Sequence, residues 1–225
     1  YPKTGYASHE TQAISFKAKV YAWVKRRNIK SKLNWIRHFP TKGQMLDYGA
    51  GNGDFALAAQ QEGWRVCVYD TSPSATKILK QRQLSTLSVP LKENQFDVIT
   101  LWHVFEHINK PSEALASFYK SLKPGGVLVL AVPNAASWDA KHYKSFWAAY
   151  DVPRHRWHYN KHAIALLGRK AGFELLKTKN MYWDAFYISL LSEQYRKTKV
   201  PWIKAFYKGL FANFKGWQTT NTSSL

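Results

Sequence analysis

A single cysteine, Cys67, stands among 225 residues, so no internal disulfide can form and a reducing compartment is expected. Its place in the apolar run WRVCVYD makes it a core residue. No apolar run approaches the roughly 18 residues of a membrane span. The N-terminus carries lysines but no apolar block of the signal-peptide kind, and the chain begins at Tyr1 without a methionine, so a cytoplasmic protein in trimmed form is the expectation. Acidic residues are scarce too: 14 Asp and Glu face 33 Lys and Arg, a formal net charge of +19. That imbalance points to an anionic partner, polymer or membrane. Hydrophobic residues at 45% and aromatics at 16% exclude a disordered or fibrous chain and suffice for the core of one large domain.

The charge is unevenly placed. Tyr1 to Met45 holds 10 basic and 1 acidic residue, Leu46 to Ala135 holds 8 of each, and Ala136 to Leu225 holds 15 and 5. A balanced middle therefore lies between two basic flanks. The expected organisation is one domain in three parts: a basic helical cap at 1–43, a cofactor-binding core at 44–134, and an acceptor-side lid with a sixth strand and a helical insertion at 135–225.

From His9 to Phe39, Ile14, Val20, Val24, Ile29, Leu33 and Ile36 recur among Lys and Arg at loosely helical spacing, which predicts one or two basic amphipathic helices. From Met45 short apolar runs alternate with helical segments: QMLDYG, DFALAAQQEG, RVCVYD, PSATKILKQ, FDVITLW, PSEALASFYKSLK and VLVLAVP. Such alternation predicts βαβ units, and hence an α/β fold with a mostly parallel sheet. Pro73 and Pro111 mark helix starts, and Lys123 to Gly126 form a turn. After Pro133 an aromatic stretch containing Trp138, Phe146, Trp147, Tyr150, Trp157 and Tyr159 reads as a long loop with short helices, the usual form of a lid. A helix at about Lys161 to Ala171, a strand at about Phe173 to Lys179 and helical structure from Tyr182 to Trp217 complete the expectation.

LDYGAGNGD, Leu46 to Asp54, lies directly between an apolar strand and a helix. Its three glycines let the backbone turn sharply and approach a ligand, and the helix behind them offers free N–H groups. The spacing is G-x-G-x-G; a dinucleotide fingerprint would need its third glycine one residue later, where Asp54 stands. Asp70 ends the next strand, where an acid can accept from both ribose hydroxyls of a nucleoside cofactor, or merely cap the helix at Pro73.

With Asp47, FDVITLWHVFEH and LKPGGVLVLAVPN, these elements resemble the class I S-adenosylmethionine-dependent methyltransferases, in particular the branch with the quinone-biosynthesis enzymes. The likeness is clear from about Met45 to Asn134, and a looser one runs through YDVPRHRWHYN to Phe173, where it matches bacterial methyltransferases of unassigned substrate. It implies a Rossmann-like sheet of seven strands whose final antiparallel strand begins near Ser223. It also implies S-adenosyl-L-methionine as cofactor. Asp47 with Gly49, Ala50, Gly51 and Gly53 would hold the methionine portion. Asp70 with Thr71 would take the ribose, and Leu101, Trp102 and His103 would flank the methionine amino group and the sulfonium. An acid after the third strand often reads adenine in the family; here Ser85 or Thr86 stands instead.

Methyl transfer to a hydroxyl benefits from a base, and histidine titrates near neutrality. His103 lies at the carboxyl edge of the sheet, where open α/β folds place ligands, and His155 and His158 lie in the lid, so all three are candidate catalytic groups. Glu106 and His107 read as a hydrogen-bonded brace for the turn after the fourth strand. Arg154 and Trp157 are candidate substrate contacts, the arginine fork suiting an anion, although Arg154 and His155 could equally fasten the lid. Two histidines without a third ligand predict no metal site. LWHV replaces the Asn/Asp-Pro-Pro-aromatic motif of base-amine methyltransferases, and Cys67 sits wrongly for attack on cytosine, so methylation of DNA bases is not expected.

The basic, aromatic flanks are open to three readings: a solvated or packing face, a membrane or lipid-like substrate, or a polyanion such as nucleic acid. The function expected is methyl transfer to a small acceptor, lipid-like or anionic, at oxygen. The alternatives are a catalytically silent basic module docking on RNA or membrane and, further off, an NAD-dependent oxidoreductase. The expected location is cytoplasmic or peripheral at a membrane.

Overall fold

The computed structural model describes residues 16–37, 42–219 and 221–225. Among the described residues, the helical region expected at the N-terminus holds one helix, α1 (Phe16–Ile36); residues 9–15, with Ile14, and Phe39 lie outside them. Strands and helices then alternate as expected: β1 (Gln44–Tyr48), α2 (Asp54–Gln61), β2 (Arg65–Tyr69), α3 (Pro73–Gln81), the short β3 (Ser85–Thr86), β4 (Phe96–Trp102), α4 (Pro111–Ser121) and β5 (Leu122–Ala131). These five strands pair in parallel, in the order β3-β2-β1-β4-β5. The order reverses between β1 and β4, so their carboxyl ends open the crevice in which such sheets bind ligands.

Successive strand side chains face opposite ways, and the core is divided accordingly. Met45, Val66, Val68 and Val98 pack with Leu33 and Ile36 of α1 and with Phe55 and Ala59 of α2. Leu46, Cys67, Ile99 and Leu101 pack on the other face with Leu115 and Phe118 of α4. Cys67 is thus a core residue. Each large aliphatic side chain withdrawn from water in this way contributes roughly 1.5–3 kcal/mol. Local chemistry sets the helix starts: Pro73 opens α3 while the Ser72 hydroxyl accepts from Ala75 N at 3.5 Å. In the β4–β5 pairing Leu122 faces Phe96 but Val127 faces Val98, so Lys123–Gly126 bulge out as the expected turn.

The lid region holds α5 (Trp138–Tyr143) and two short 3-10 turns, Lys144–Phe146 and Ala148–Tyr150. It is followed by α6 (Lys161–Lys170), α7 (Tyr182–Tyr195) and α8 (Pro201–Thr219). Asn160 caps α6 by accepting from Ala163 N at 2.8 Å.

One expectation fails. Residues 173–179 form no strand, and the sheet has five strands among the described residues rather than seven. A strand exists only by pairing, and the segment beside the end of β5 is Ser223 to Leu225 instead. Val132 and Leu225 exchange backbone hydrogen bonds of 3.2 and 3.0 Å, and Asn134 N donates to Ser223 O at 2.9 Å, with an antiparallel bridge at Pro133 and Ser224. The antiparallel run expected near Ser223 is therefore present as a short bridge. Leu175 and Leu176 within this segment are exposed.

Gly53 joins the first crossover to the core. Its φ is +78°, and a β-carbon there would lie 2.5 Å from Leu84 Cδ1 and 2.8 Å from Leu79 Cδ2, both buried side chains. Gly53→Ala combines left-handed strain with overpacking and is expected to cost about 2–5 kcal/mol, read from the urea midpoint. An unchanged midpoint would show that this crossover relaxes freely.

Candidate active site

The crevice is built from the ends of β1, β2 and β4, with α1 and α7 beside them. The chain leaves β1 through Gly49, whose N–H donates to Tyr69 O at 2.7 Å, as does that of Ala50 at 3.1 Å. Gly51 adopts φ +56°, and a β-carbon there would meet nothing within 4 Å, so its outer face is open space. Asp70 organises this loop: its Oδ2 accepts from Gly51 N and its Oδ1 from Ser72 N, both at 2.8 Å. Ser72, not Asp70, caps α3. Thr71 is exposed beside it.

Asp47 is buried at the end of β1, facing Thr100 across the β1–β4 register; the Thr100 hydroxyl donates to Asp47 Oδ1 at 2.8 Å. Burial pushes the Asp47 pKa up to about 6, against the opposing pull of the Thr100 hydrogen bond and of Lys32. Lys32, on α1, lies 4.9 Å from the centre of the Trp102 ring. Burial holds its ammonium below the usual lysine pKa even though Asp184 and Asp47 both draw it up. Trp102 also packs on Phe55, its ring centre 5.2 Å away, and its indole N–H is buried with no hydrogen-bond partner among the described residues. Leu101 lies wholly in the core, so only its backbone can reach the crevice.

His103 follows with φ +58°, its N–H held by Ala131 O at 2.9 Å. Its ring lies between two carboxylates: Nε2 is 2.9 Å from Asp184 Oδ2 on α7, and Nδ1 is 3.7 Å from Glu106 Oε1. Burial alone would lower its pKa, but Asp184 and then Glu106 outweigh it and hold the imidazole at about 9. Asp184 itself would be raised by burial; the imidazolium and Lys32 keep it below the usual carboxylate range. Asn28 of α1 adds a 3.4 Å hydrogen bond to Asp184 Oδ1.

The lid candidates sit differently. His155 Nδ1 is 2.7 Å from Ala149 O, and His158 Nε2 is 2.9 Å from Tyr150 O. The Trp157 indole N–H donates to Ile108 O at 2.9 Å, and Arg154 pairs with Asp151 at 2.7 Å. Backbone N–H groups of Arg156 and Trp157 donate to Glu106 O at 2.9 and 3.2 Å. These bonds fasten the lid to the turn at Phe105–His107, which gives Glu106 the bracing part expected of it, through its carbonyl. His155 does not share a site with His158. It stands edge-on to His107, ring centres 4.7 Å apart, and its Nε2 is 3.9 Å from Glu106 Oε1. Glu106, His107 and His155 present ligand atoms within 4.8 Å of one another, a grouping able to take a cation that their separation in sequence concealed.

Sequence reasoning thus missed Lys32 and Asp184. Asp184 had one visible signal, an acid inside the aromatic run YWDAFY; Lys32 had none among the many lysines of its helix.

A family model described as a methyltransferase domain matches residues 22–178. Among curated proteins, the malonyl-[acyl-carrier protein] O-methyltransferase of Serratia marcescens is 29% identical over 119 residues, 50% of this chain and 46% of that protein. The ubiquinone biosynthesis O-methyltransferase of Pseudomonas entomophila (strain L48) is 28% identical over 117 residues, 46% of this chain and 50% of its own length. The chain spans about half the length of the curated relatives it matches. Among solved structures, a putative sarcosine dimethylglycine methyltransferase from Galdieria sulphuraria superposes with a TM-score of 0.60 at 16% identity, covering 92% of this chain and 85% of that one. A possible histamine N-methyltransferase from Thermotoga maritima gives 0.57 at 22%, covering 71% and 77%. These last two likenesses establish the fold.

Proposed function

The chain belongs to the methyltransferase-domain family, and from that membership we propose that it transfers a methyl group from S-adenosylmethionine to an oxygen of a small acceptor, lipid-like or anionic. The observation that carries the reading is the loop Gly49–Gly53, open over Gly51, with Asp47 just before it and Asp70, from the end of β2, bonded to Gly51 N. The donor set suits the cofactor: a carboxylate for ribose hydroxyls, and a buried carboxylate and an ammonium for the two ends of a zwitterionic amino acid. Oxygen as the acceptor atom is supported by the O-methyltransferases among the relatives.

When bound, S-adenosylmethionine would supply a methyl group made electrophilic by its sulfonium. The protein's part is to align two reactants and exclude water. Asp70 would accept from the ribose hydroxyls while its hydrogen bond to Gly51 N keeps the loop shaped for close approach. Asp47 would face the ammonium, Lys32 the carboxylate, and Trp102 would wall the crevice on the side of β4. His103 would meet the acceptor. As an imidazolium it attracts an anionic acceptor, and in its neutral form, about one part in a hundred at pH 7 for a pKa near 9, it removes the hydroxyl proton. Arg154, paired with Asp151, and Trp157, bonded to Ile108 O, lie on the lid and would contact only an acceptor that extends that far.

Titration calorimetry with S-adenosylhomocysteine tests the cofactor reading, and no heat at millimolar ligand would sink it. The pH dependence tests Asp47. Its ionised form is the one that pairs with the ligand ammonium, so affinity is expected to be flat above pH 6 and to fall about tenfold per unit below it. Asp47→Asn should be weak and flat across that range; a wild-type slope in this variant would assign the titration elsewhere. Incubation with radiolabelled cofactor and fractionated cell extract identifies the acceptor.

A further inference from the structure

In an ordinary surface helix the apolar stripe faces inward. In α8 the arrangement is inverted. Its buried positions are the small residues Ala205, Gly209, Ala212 and Gly216, spaced by three and four so that they form one face. The closeness of that packing is plain at Gly209, where a β-carbon would lie 2.6 Å from a ring carbon of Phe186 on α7, and at Gly216, where it would strike the backbone of Thr222. The large side chains point outward. Trp202 is 67% exposed, Tyr207 66% and Trp217 68%, with Phe206, Leu210 and Phe214 exposed between them. Along one edge of this aromatic face run Lys204, Lys208 and Lys215, spaced by four and seven residues, and no Asp or Glu occurs from Pro201 to Leu225.

A helix of 19 residues is about 28 Å long, and no helix among the described residues is long and apolar enough to cross a membrane. We propose that α8 lies flat on an anionic lipid bilayer, with its aromatic face at the boundary between headgroups and acyl chains and its lysine edge on the lipid phosphates. Tryptophan and tyrosine favour that boundary because each joins a flat apolar ring to a polar N–H or O–H, and lysines reach from an apolar face to the headgroups. Charge selects the bilayer over a second copy of the chain. A copy docking on this face would bring lysine edges together with no carboxylate on either helix to receive them. For the C-terminal flank this is the membrane reading of its basic, aromatic residues, and it stands independently of the methyl-transfer reading.

The test is co-sedimentation of the full chain with phosphatidylcholine vesicles, with and without phosphatidylglycerol. Binding should be at least about tenfold tighter with the anionic lipid, since each lysine engaged is worth about fivefold, and should weaken as salt is raised. Two variants separate the components. Trp202→Ser/Tyr207→Ser/Trp217→Ser should lose at least about tenfold in affinity for anionic vesicles, and Lys204→Gln/Lys215→Gln should cut the preference for anionic over neutral lipid to about the fivefold that Lys208 alone supports. Thermal melting by circular dichroism confirms that each is folded; the two stand apart, so a misfolded one leaves the other to decide. Absence of binding to anionic vesicles would overturn the proposal, as would full binding by the folded aromatic variant. A dimer in sedimentation velocity that the aromatic substitutions abolish would assign the face to a second copy. RNA binding that competes with the vesicles and outlasts the aromatic substitutions would assign the lysines to nucleic acid.

Discussion

His103→Gln is expected to lower kcat by roughly 10²–10⁴, the usual worth of a positioned proton acceptor, while leaving S-adenosylhomocysteine affinity within a few-fold of wild type. Glutamine keeps a polar group of similar reach but cannot take a proton at neutral pH. The pH profile carries the stronger test. With the His103 pKa near 9, the rate should climb about tenfold per pH unit and level off near pH 9. Asp184→Asn removes the carboxylate 2.9 Å from Nε2, so the limb should move toward ordinary histidine values, with a lower plateau because the ring loses its orienting partner. A merely structural His103–Asp184 pair would change stability and leave the limb where it was. Stability has its own signature. The folded pKa lies above the unfolded value of about 6.5, so the contribution of the pair is fully present below pH 6.5 and is lost as pH rises through 9. An unchanged kcat in His103→Gln would remove His103 from the chemistry.

Asp70→Ala is expected to weaken S-adenosylhomocysteine binding by roughly 10²–10⁴. Two hydrogen bonds to an ionised acceptor at about 1.5–3 kcal/mol each would be lost from the ribose. The same carboxylate is the acceptor for Gly51 N and Ser72 N, so its removal also loosens the loop that must come close to the ligand. Neither N–H is deeply buried, and water can replace Asp70 there, so the free protein should melt within a few degrees of wild type. Asp70→Asn, which keeps one carbonyl oxygen for Gly51 N, should fall between the two. Calorimetry at constant pH distinguishes these cases, and an Asp70→Ala affinity within threefold of wild type would place the ribose elsewhere.

The two variants differ in how visible their residues were. Asp70 was legible because everything that makes it useful is local: it ends a strand, it lies at a set distance from the glycine loop, and a helix start follows at Pro73. His103 was legible by position, as the residue after an apolar strand, but its chemistry was not. A histidine that would titrate near 6.5 alone is held near 9 by Asp184, 81 positions further along the chain, and by a buried Glu106. For His155 sequence showed only a place in the lid, and the folded chain turns its ring toward His107 and Glu106. The strand expected at 173–179 shows the same limit, because an apolar pattern states a capacity for pairing and only the neighbouring chain supplies the pair.

By itself the amino-acid order determined the alternation of strands and helices, the glycine turn with its flanking acids, the core position of Cys67 and the segregation of positive charge into two flanks. These follow from side-chain periodicity, backbone freedom and turn chemistry, all of which act over a few residues. The tertiary structure decided which carboxylate faces which histidine, that Lys32 of α1 reaches the crevice, and that α8 turns its aromatics outward. Those outcomes depend on groups far apart in sequence sharing one desolvated space, where a partner a few ångströms away sets both charge state and exposure.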